Sequence, residues 1–251
     1  MGLRDQTRDA LLGLVQQPVV KRTAQGAVKA LAGKANYHVV RGMADPAQRP
    51  RVDRFYESAP WMITSDYVRQ GTLELICQEI RDRELQGALG ELGVFRGDFA
   101  WLFSQLLPGR EIHLFDTFSG FDESDVQKDQ GLVDHFLDFS ATDPESVRAR
   151  FDDPALVHTH VGWFPESAEG VEDVTFAFVS IDADLYAPVL SGLDWFWPRL
   201  APGGYVLVHD FNNGAFGGAK KAVREFQDRT GASVVPVPDW GGTAILTQPR
   251  G

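Results

Sequence analysis

The sequence predicts an α/β fold built on one mostly parallel sheet whose last strand is reversed. From residue 88 onward, short apolar runs alternate with segments of helical periodicity, the order that places helices on both faces of a parallel sheet. The final two apolar runs are separated only by "PDWGG", a connection too short for a parallel crossover but suited to an antiparallel hairpin. Acids and glycines also recur just beyond the apolar runs, at the carboxyl edge where open α/β sheets bind ligands.

Within residues 4–33, apolar and charged positions alternate at near-helical spacing. Pro18 and Gly26 interrupt them, so two short helices are expected. Residues 34–60 contain "ADPAQRPRVDRFYESAP" and read as an ordered linker or lid. Residues 1–60 are therefore expected to form a helical extension or lid, and 61–251 the main domain. "TSDYVRQGTLELICQEIRDREL" opens with the cap candidates Thr64 and Ser65 and continues at helical spacing. Strands are expected at 88–93, 111–116, 156–161, 174–181, 204–209, 233–238 and 243–247, seven in all. Helices are expected at 98–107, 144–151, 186–199 and 216–229.

Composition narrows the function. The chain has 251 residues and a net charge of -11, with ten Lys/Arg against five acids in residues 1–60 and 14 against 30 in the rest. A body this acidic excludes nucleic acid as a natural partner. The basic extension most simply forms a solvated helix face packed on its own domain; the alternatives are contact with a phosphate, with a membrane surface, or with the acidic body of a neighbouring subunit in a homo-oligomer. The single cysteine, Cys77, excludes an internal disulfide and a cysteine-rich metal site; its place in "LELICQEI" marks a buried residue. No apolar run reaches membrane-spanning length, and the expected location is the cytoplasm.

The strand ends describe a ligand. The first run closes in "ELGVFRGD". Gly93 permits a sharp turn and close backbone approach. Gly97 opens the next helix, whose free N–H groups face the site. Glu91 would repel a phosphate and suits an amino group instead. Both GxGxxG and a Walker GK[ST] are missing from this turn. The second run ends in Asp116, 23 residues after Gly93, a spacing that suits hydrogen bonds from ribose hydroxyls; Thr117 follows it in the same loop. The third ends in "HVGWFPES". There Gly162 turns the chain, and Trp163 or Phe164 offers a flat surface to a base, unless either is buried under the sheet. The fourth run places Asp182 and Asp184 at its end, and the fifth places His209 and Asp210. These two strands are expected to be neighbours, so Asp182, His209 and Asp210 can converge on one divalent ion. An amino group, a ribose and a flat base without a pyrophosphate cradle describe S-adenosylmethionine.

"ELGVFRGDFA", "LFDTFSGF", "GWFPES", "IDADLYAPVLSGLDWFWPRLAPGGYVLVHDF" and "AKKAVREF" together resemble the macrocin O-methyltransferase family over roughly residues 60–247. The resemblance implies a Rossmann-like class I methyltransferase fold and a magnesium-dependent enzyme that methylates sugar hydroxyls of glycosylated natural products. It implies that Glu91, Gly93 and Gly97 form the cofactor loop, that Asp116 is the ribose acid, and that Asp182 is the first metal acid and the base. The family commonly carries two consecutive acids after the fifth strand. Here "HDF" stands there, so His209 replaces one acid and Asp210 is kept. His209 is then a ligand, a base or a mark of lost magnesium. Trp61, Met62, Tyr67, His135 and Phe136 are candidates to line the acceptor side. The alternatives are a phenol or catechol O-methyltransferase, an N-methyltransferase of an amino sugar, and a nucleoside-binding protein without activity.

Overall fold

The computed structural model describes residues 66–121, 125–126, 142–214 and 217–250. The expected extension at 1–60, and the acceptor-side candidates Trp61, Met62, His135 and Phe136, lie outside them. In chain order the elements are α1 (Tyr67–Asp82), β1 (Ala88–Leu92), α2 (Asp98–Leu106), β2 (Ile112–Asp116), α3 (Pro144–Arg148), β3 (Val157–Val161), β4 (Phe176–Ile181), α4 (Tyr186–Phe196), β5 (Leu200–Val208), α5 (Gly217–Thr230), β6 (Val234–Val237) and β7 (Thr243–Thr247).

The seven strands form one sheet of order β3-β2-β1-β4-β5-β7-β6. β7 alone runs against its neighbours, pairing antiparallel with both β5 and β6. The hairpin between β6 and β7 turns through Gly241 and Gly242, at φ +83° and +74°, which the short "PDWGG" connection requires. β1 and β4 are buried throughout, and β2 at every residue but its last, as expected where helices cover both faces of a sheet. The main departure from the expected spans is β5, which begins at Leu200 because Phe176 already pairs with Leu200 before a shift in register. The expected helix to residue 199 ends at Phe196 and tightens into a 3₁₀ turn, Trp197–Arg199, with Pro198 inside it.

Alternation along the strands builds two cores. Leu89, Leu114, Phe178 and Leu207 face α1 and α2, where Leu73, Cys77, Ile80, Leu102 and Phe103 pack against them. Leu92, Phe115, Val179, Val206 and Val208 face α4 and α5, where Leu193, Phe196, Val223 and Phe226 pack. Each fully buried side chain of this size contributes about 1.5–3 kcal/mol. The sheet is thereby held rigid on both faces, and its carboxyl edge stays open. No helix among the described residues is long and apolar enough to cross a membrane.

Candidate active site

A cleft of about 560 Å³ runs along the carboxyl edge of the sheet. Glu91, Gly93, Asp116, Thr117, Gly162, Trp163, Phe164, Asp182, His209 and Asp210 all line it. The sheet order explains this convergence: β1 lies between β2 and β4, and β5 lies beside β4. With β3 beside β2, five loops therefore leave the same edge side by side. Gly97 is the expected site residue that does not line the cleft. It caps α2 at φ +71°, and a Cβ there would sit 2.7 Å from Val147 Cγ1. Its form is set by packing against α3.

Gly93 also answers to packing. At φ +83°, a Cβ on it would lie 2.1 Å from the carbonyl oxygen of Asp182. The turn after β1 is thus pressed against the chain carrying the acid after β4. Asp116 ties the turn down from the other side. Its Oδ2 accepts hydrogen bonds from the N–H groups of Val94 (2.7 Å) and Phe95 (2.9 Å), and its Oδ1 accepts one from Phe118 (2.7 Å). A carboxylate offers about four acceptor directions, so one remains on Oδ1 for a ligand hydroxyl. Asp116→Ala should strip three N–H groups of their acceptor and cost about 1–3 kcal/mol, read as a lower urea midpoint. An unchanged midpoint would show that this carboxylate does not brace the turn.

Glu91 is 2% exposed, and its Oε2 has no hydrogen-bond partner. Burial, with the nearby Asp182 carboxylate, pushes its pKa well above the usual range despite the attraction of Arg69. A buried, unpaired carboxyl oxygen facing a cleft fits a donor on a ligand. Thr117 donates from Oγ1 to the Gly120 carbonyl at 2.6 Å, shaping the loop after β2. Of the two aromatics after β3, Phe164 is buried among Phe115, Trp195 and Phe196. Trp163 is 38% exposed, and its Nε1 donates to Asp125 at 2.8 Å. The indole is the freer surface for a flat base.

The acids after β4 and β5 form one network. Asp182 Oδ2 accepts from Arg69 Nη2 at 2.9 Å, and Asp182 Oδ1 lies 3.0 Å from His209 Nδ1. The same nitrogen is 3.0 Å from Asp210 Oδ2, and Asn213 donates to Asp210 Oδ1 at 2.7 Å. Burial alone would raise the Asp182 pKa, but His209 and Arg69 outweigh it and hold the carboxyl below its usual range. Burial and Arg69 oppose charge on His209, yet the Asp182 and Asp210 carboxylates push its pKa up to about 10. Burial and the neighbouring Asp210 and Asp182 push Asp184 well above the carboxylate range. Asp184 and Asp210 both adopt φ of +57°, a conformation uncommon outside glycine.

Arg69 escaped the sequence reading. It lies on α1, 113 residues from Asp182, with its guanidinium 4.0 Å over the Phe99 ring. The available signal was one arginine followed by Gln70 and Glu74 on a helix that otherwise buries apolar side chains; all three are buried. Asp125, in a helical stretch, and Trp240, in the loop between β6 and β7, also line the cleft; the sequence around them carries no spacing signal.

A seven-stranded sheet with β7 reversed, bearing a nucleoside-sized cleft and clustered acids at its carboxyl edge, defines a class I methyltransferase. The family model for macrocin O-methyltransferase matches residues 15–242. The chain belongs to the macrocin O-methyltransferase family, an O-methyltransferase family of enzymes. It is 28% identical over 193 residues to the 8-demethyl-8-(2,3-dimethoxy-alpha-L-rhamnosyl)-tetracenomycin-C 4'-O-methyltransferase of Streptomyces olivaceus, covering 71% of this chain and 72% of that protein. It is 26% identical over 162 residues to the mycinamicin III 3''-O-methyltransferase of Micromonospora griseorubida, covering 59% and 63%. Among solved structures, the O-methyltransferase NovP superposes with a TM-score of 0.60 at 22% identity, covering 73% of this chain and 81% of that one. At that identity the superposition speaks for the fold.

Proposed function

We propose that the protein transfers a methyl group from S-adenosylmethionine to a sugar hydroxyl of a glycosylated natural product. The observation that carries this is Asp182 held ionised between Arg69 and His209 in the cleft that also holds Glu91, Asp116 and Trp163. The curated relatives support the acceptor class, since the two described act on a rhamnosyl tetracenomycin and on mycinamicin III.

In this reading the amino-acid end of the cofactor meets Glu91, whose Oε2 lacks a partner. The ribose meets the free acceptor direction on Asp116, and the base lies along Trp163. S-adenosylmethionine supplies a methyl group already activated on a sulfonium, so the protein's main task is alignment. As the new C–O bond forms, the acceptor oxygen becomes strongly acidic. Asp182 takes the proton even though its neighbours make it a weak base. Arg69 and His209 keep it ionised and fix its orientation.

The donor set also suits magnesium. One donor atom each from Asp182, His209 and Asp210 lies within 4.8 Å of the others, and His209 Nε2 is buried without a partner. Two carboxylates and an imidazole can hold a divalent ion that keeps several waters, provided His209 gives up its proton as the ion binds. Such an ion would orient the acceptor hydroxyl and lower its pKa. A second reading rests on the 3.0 Å contacts of His209 Nδ1 to both acids: an imidazolium bridges the carboxylates in place of a metal.

Calorimetry with S-adenosylmethionine, with and without Mg²⁺, together with methyl transfer onto a rhamnosyl acceptor, tests both. Binding without Mg²⁺ and chelator-sensitive transfer are expected. Failure to bind S-adenosylmethionine overturns the proposal. Transfer indifferent to chelator overturns only the magnesium and favours the His209 bridge.

A further inference from the structure

A second cluster of ligating side chains lies at the other end of the sheet. Residue alternation puts Glu111, His113 and Phe115 on one face along β2 and its entry, and His158 and His160 on one face of β3. The parallel register pairs His113 with His158 and Phe115 with His160. The rings therefore stack: His113 on His158 with centroids 4.8 Å apart, and Phe115 on His160 at 4.5 Å. β3 is an edge strand, so the cluster is reached from the side of the sheet. Two of its members, His158 and Glu111, are respectively half-buried and exposed.

His113 is the anomaly. It is 4% exposed. Its Nδ1 lies 3.0 Å from His160 Nε2, which fixes the ring, while its own Nε2 is buried without a hydrogen-bond partner. Glu111 Oε2 stands 4.0 Å from that nitrogen, too far for a hydrogen bond. If His113 Nδ1 donates to His160, the lone pair on Nε2 points into the gap. One donor atom from each of Glu111, His113 and His158 lies within 4.8 Å of the others.

We propose that Glu111, His113 and His158 bind a borderline divalent transition metal, Zn²⁺ foremost, and that this ion fastens the edge strand β3 to β2. Two imidazoles and one carboxylate make an open zinc set, with water filling the fourth position. Ligands at zinc distances in a tetrahedron are about 3.3 Å apart, so the donors must close by rotamer changes. The exposed Glu111 and half-buried His158 have the freedom for this. His160 acts as the outer partner that orients His113. The nitrogen-rich set prefers Zn²⁺ to Mg²⁺, whereas the oxygen-rich set after β4 and β5 has the reverse bias. His113 lies three residues before Asp116, about 10 Å along the strand, so the role is one of stability and not of chemistry.

The test uses the full chain stripped with chelator and titrated with Zn²⁺ alone or Mg²⁺ alone. Calorimetry and thermal melting are the readouts, with Co²⁺ absorption as a spectroscopic probe. A doubly substituted Asp182→Asn, His209→Gln chain removes the cleft as a competing site. It should still bind one Zn²⁺ per chain and melt at a higher temperature with it. His158→Gln added to that background should abolish the binding and the shift. His160→Gln should weaken binding about 10–100-fold, as loss of an outer partner does. Because His158 is half-buried, its variant should fold, which circular dichroism checks. Absence of Zn²⁺ binding in the double variant, or binding undiminished by His158→Gln, overturns the proposal.

Discussion

Asp182→Asn should keep the fold and the cofactor and lose methyl transfer by about 10²–10⁴-fold, the usual worth of a positioned proton acceptor. Asparagine matches aspartate in shape, so the contacts after β4 survive with only the charge removed. Asp182 N–H still donates to the Leu92 carbonyl at 2.8 Å, which keeps the loop in place. The loss falls on chemistry because asparagine cannot take up the acceptor's proton, and because Arg69 and His209 lose the anion they flank. Stability should fall as well. The cost stays below the about 3–5 kcal/mol of breaking a fully buried ion pair, since the Asp182 side chain is 25% exposed to the cleft. His209 also retains Asp210 at 3.0 Å. Single-turnover transfer to a rhamnosyl acceptor measures the first effect, and calorimetry with S-adenosylhomocysteine measures cofactor retention. Turnover close to that of the unsubstituted chain would remove Asp182 as the proton acceptor. A collapse of cofactor affinity would instead move its role to binding.

The parts of this site that could be read from the sequence are those governed by strand ends. Apolar runs long enough to cross the sheet, with an acid at or next to their carboxyl ends, mark Glu91, Asp116, Asp182 and Asp210 in the sequence. The reversed β7 was equally legible, because "PDWGG" leaves no room for a crossover. Arg69 was not, because its partner is 113 residues away and helical periodicity marks a face without saying which sheet edge that face meets. Asp184 was visible as an acid beyond β4. Its left-handed backbone and its link to Asp210, however, are set by how two neighbouring loops pack. The choice between Trp163 and Phe164 likewise turned on a packing detail: Phe164 stacks on Phe196 with an interplanar angle of 13° and is buried, leaving Trp163 at the surface. The glycines show the limit most clearly. Both were expected to serve the cofactor, but a side chain at Gly97 would meet Val147, and one at Gly93 would meet Asp182.

That last contact yields an equally severe expectation, for Gly93→Ala. The new Cβ would lie 2.1 Å from the Asp182 carbonyl oxygen and 2.7 Å from its carbonyl carbon. A flexible side chain could swing aside from such an overlap, but these are backbone atoms. The Asp182 backbone is pinned by its own bond to Leu92 and by the pairing of Leu92 with Ile181 between β1 and β4. Gly93 cannot retreat either, since its N–H donates to the Phe115 carbonyl at 3.0 Å and Val94 is held by Asp116. Its φ of +83° adds strain for an L-residue, about 1–2 kcal/mol. Overpacking adds about 1–3 kcal/mol, or more where the neighbour cannot move. The sum is a large share of the about 5–15 kcal/mol that holds a typical domain together. Gly93→Ala should therefore lower the melting temperature sharply. In whatever fraction folds, it should displace Asp182 and cut transfer more than it cuts S-adenosylmethionine binding. Thermal melting and transfer assays on the purified variant measure both. A variant as stable and as active as the parent would mean that the turn after β1 does not press on Asp182, and Gly93 would then have to be explained by the ligand alone.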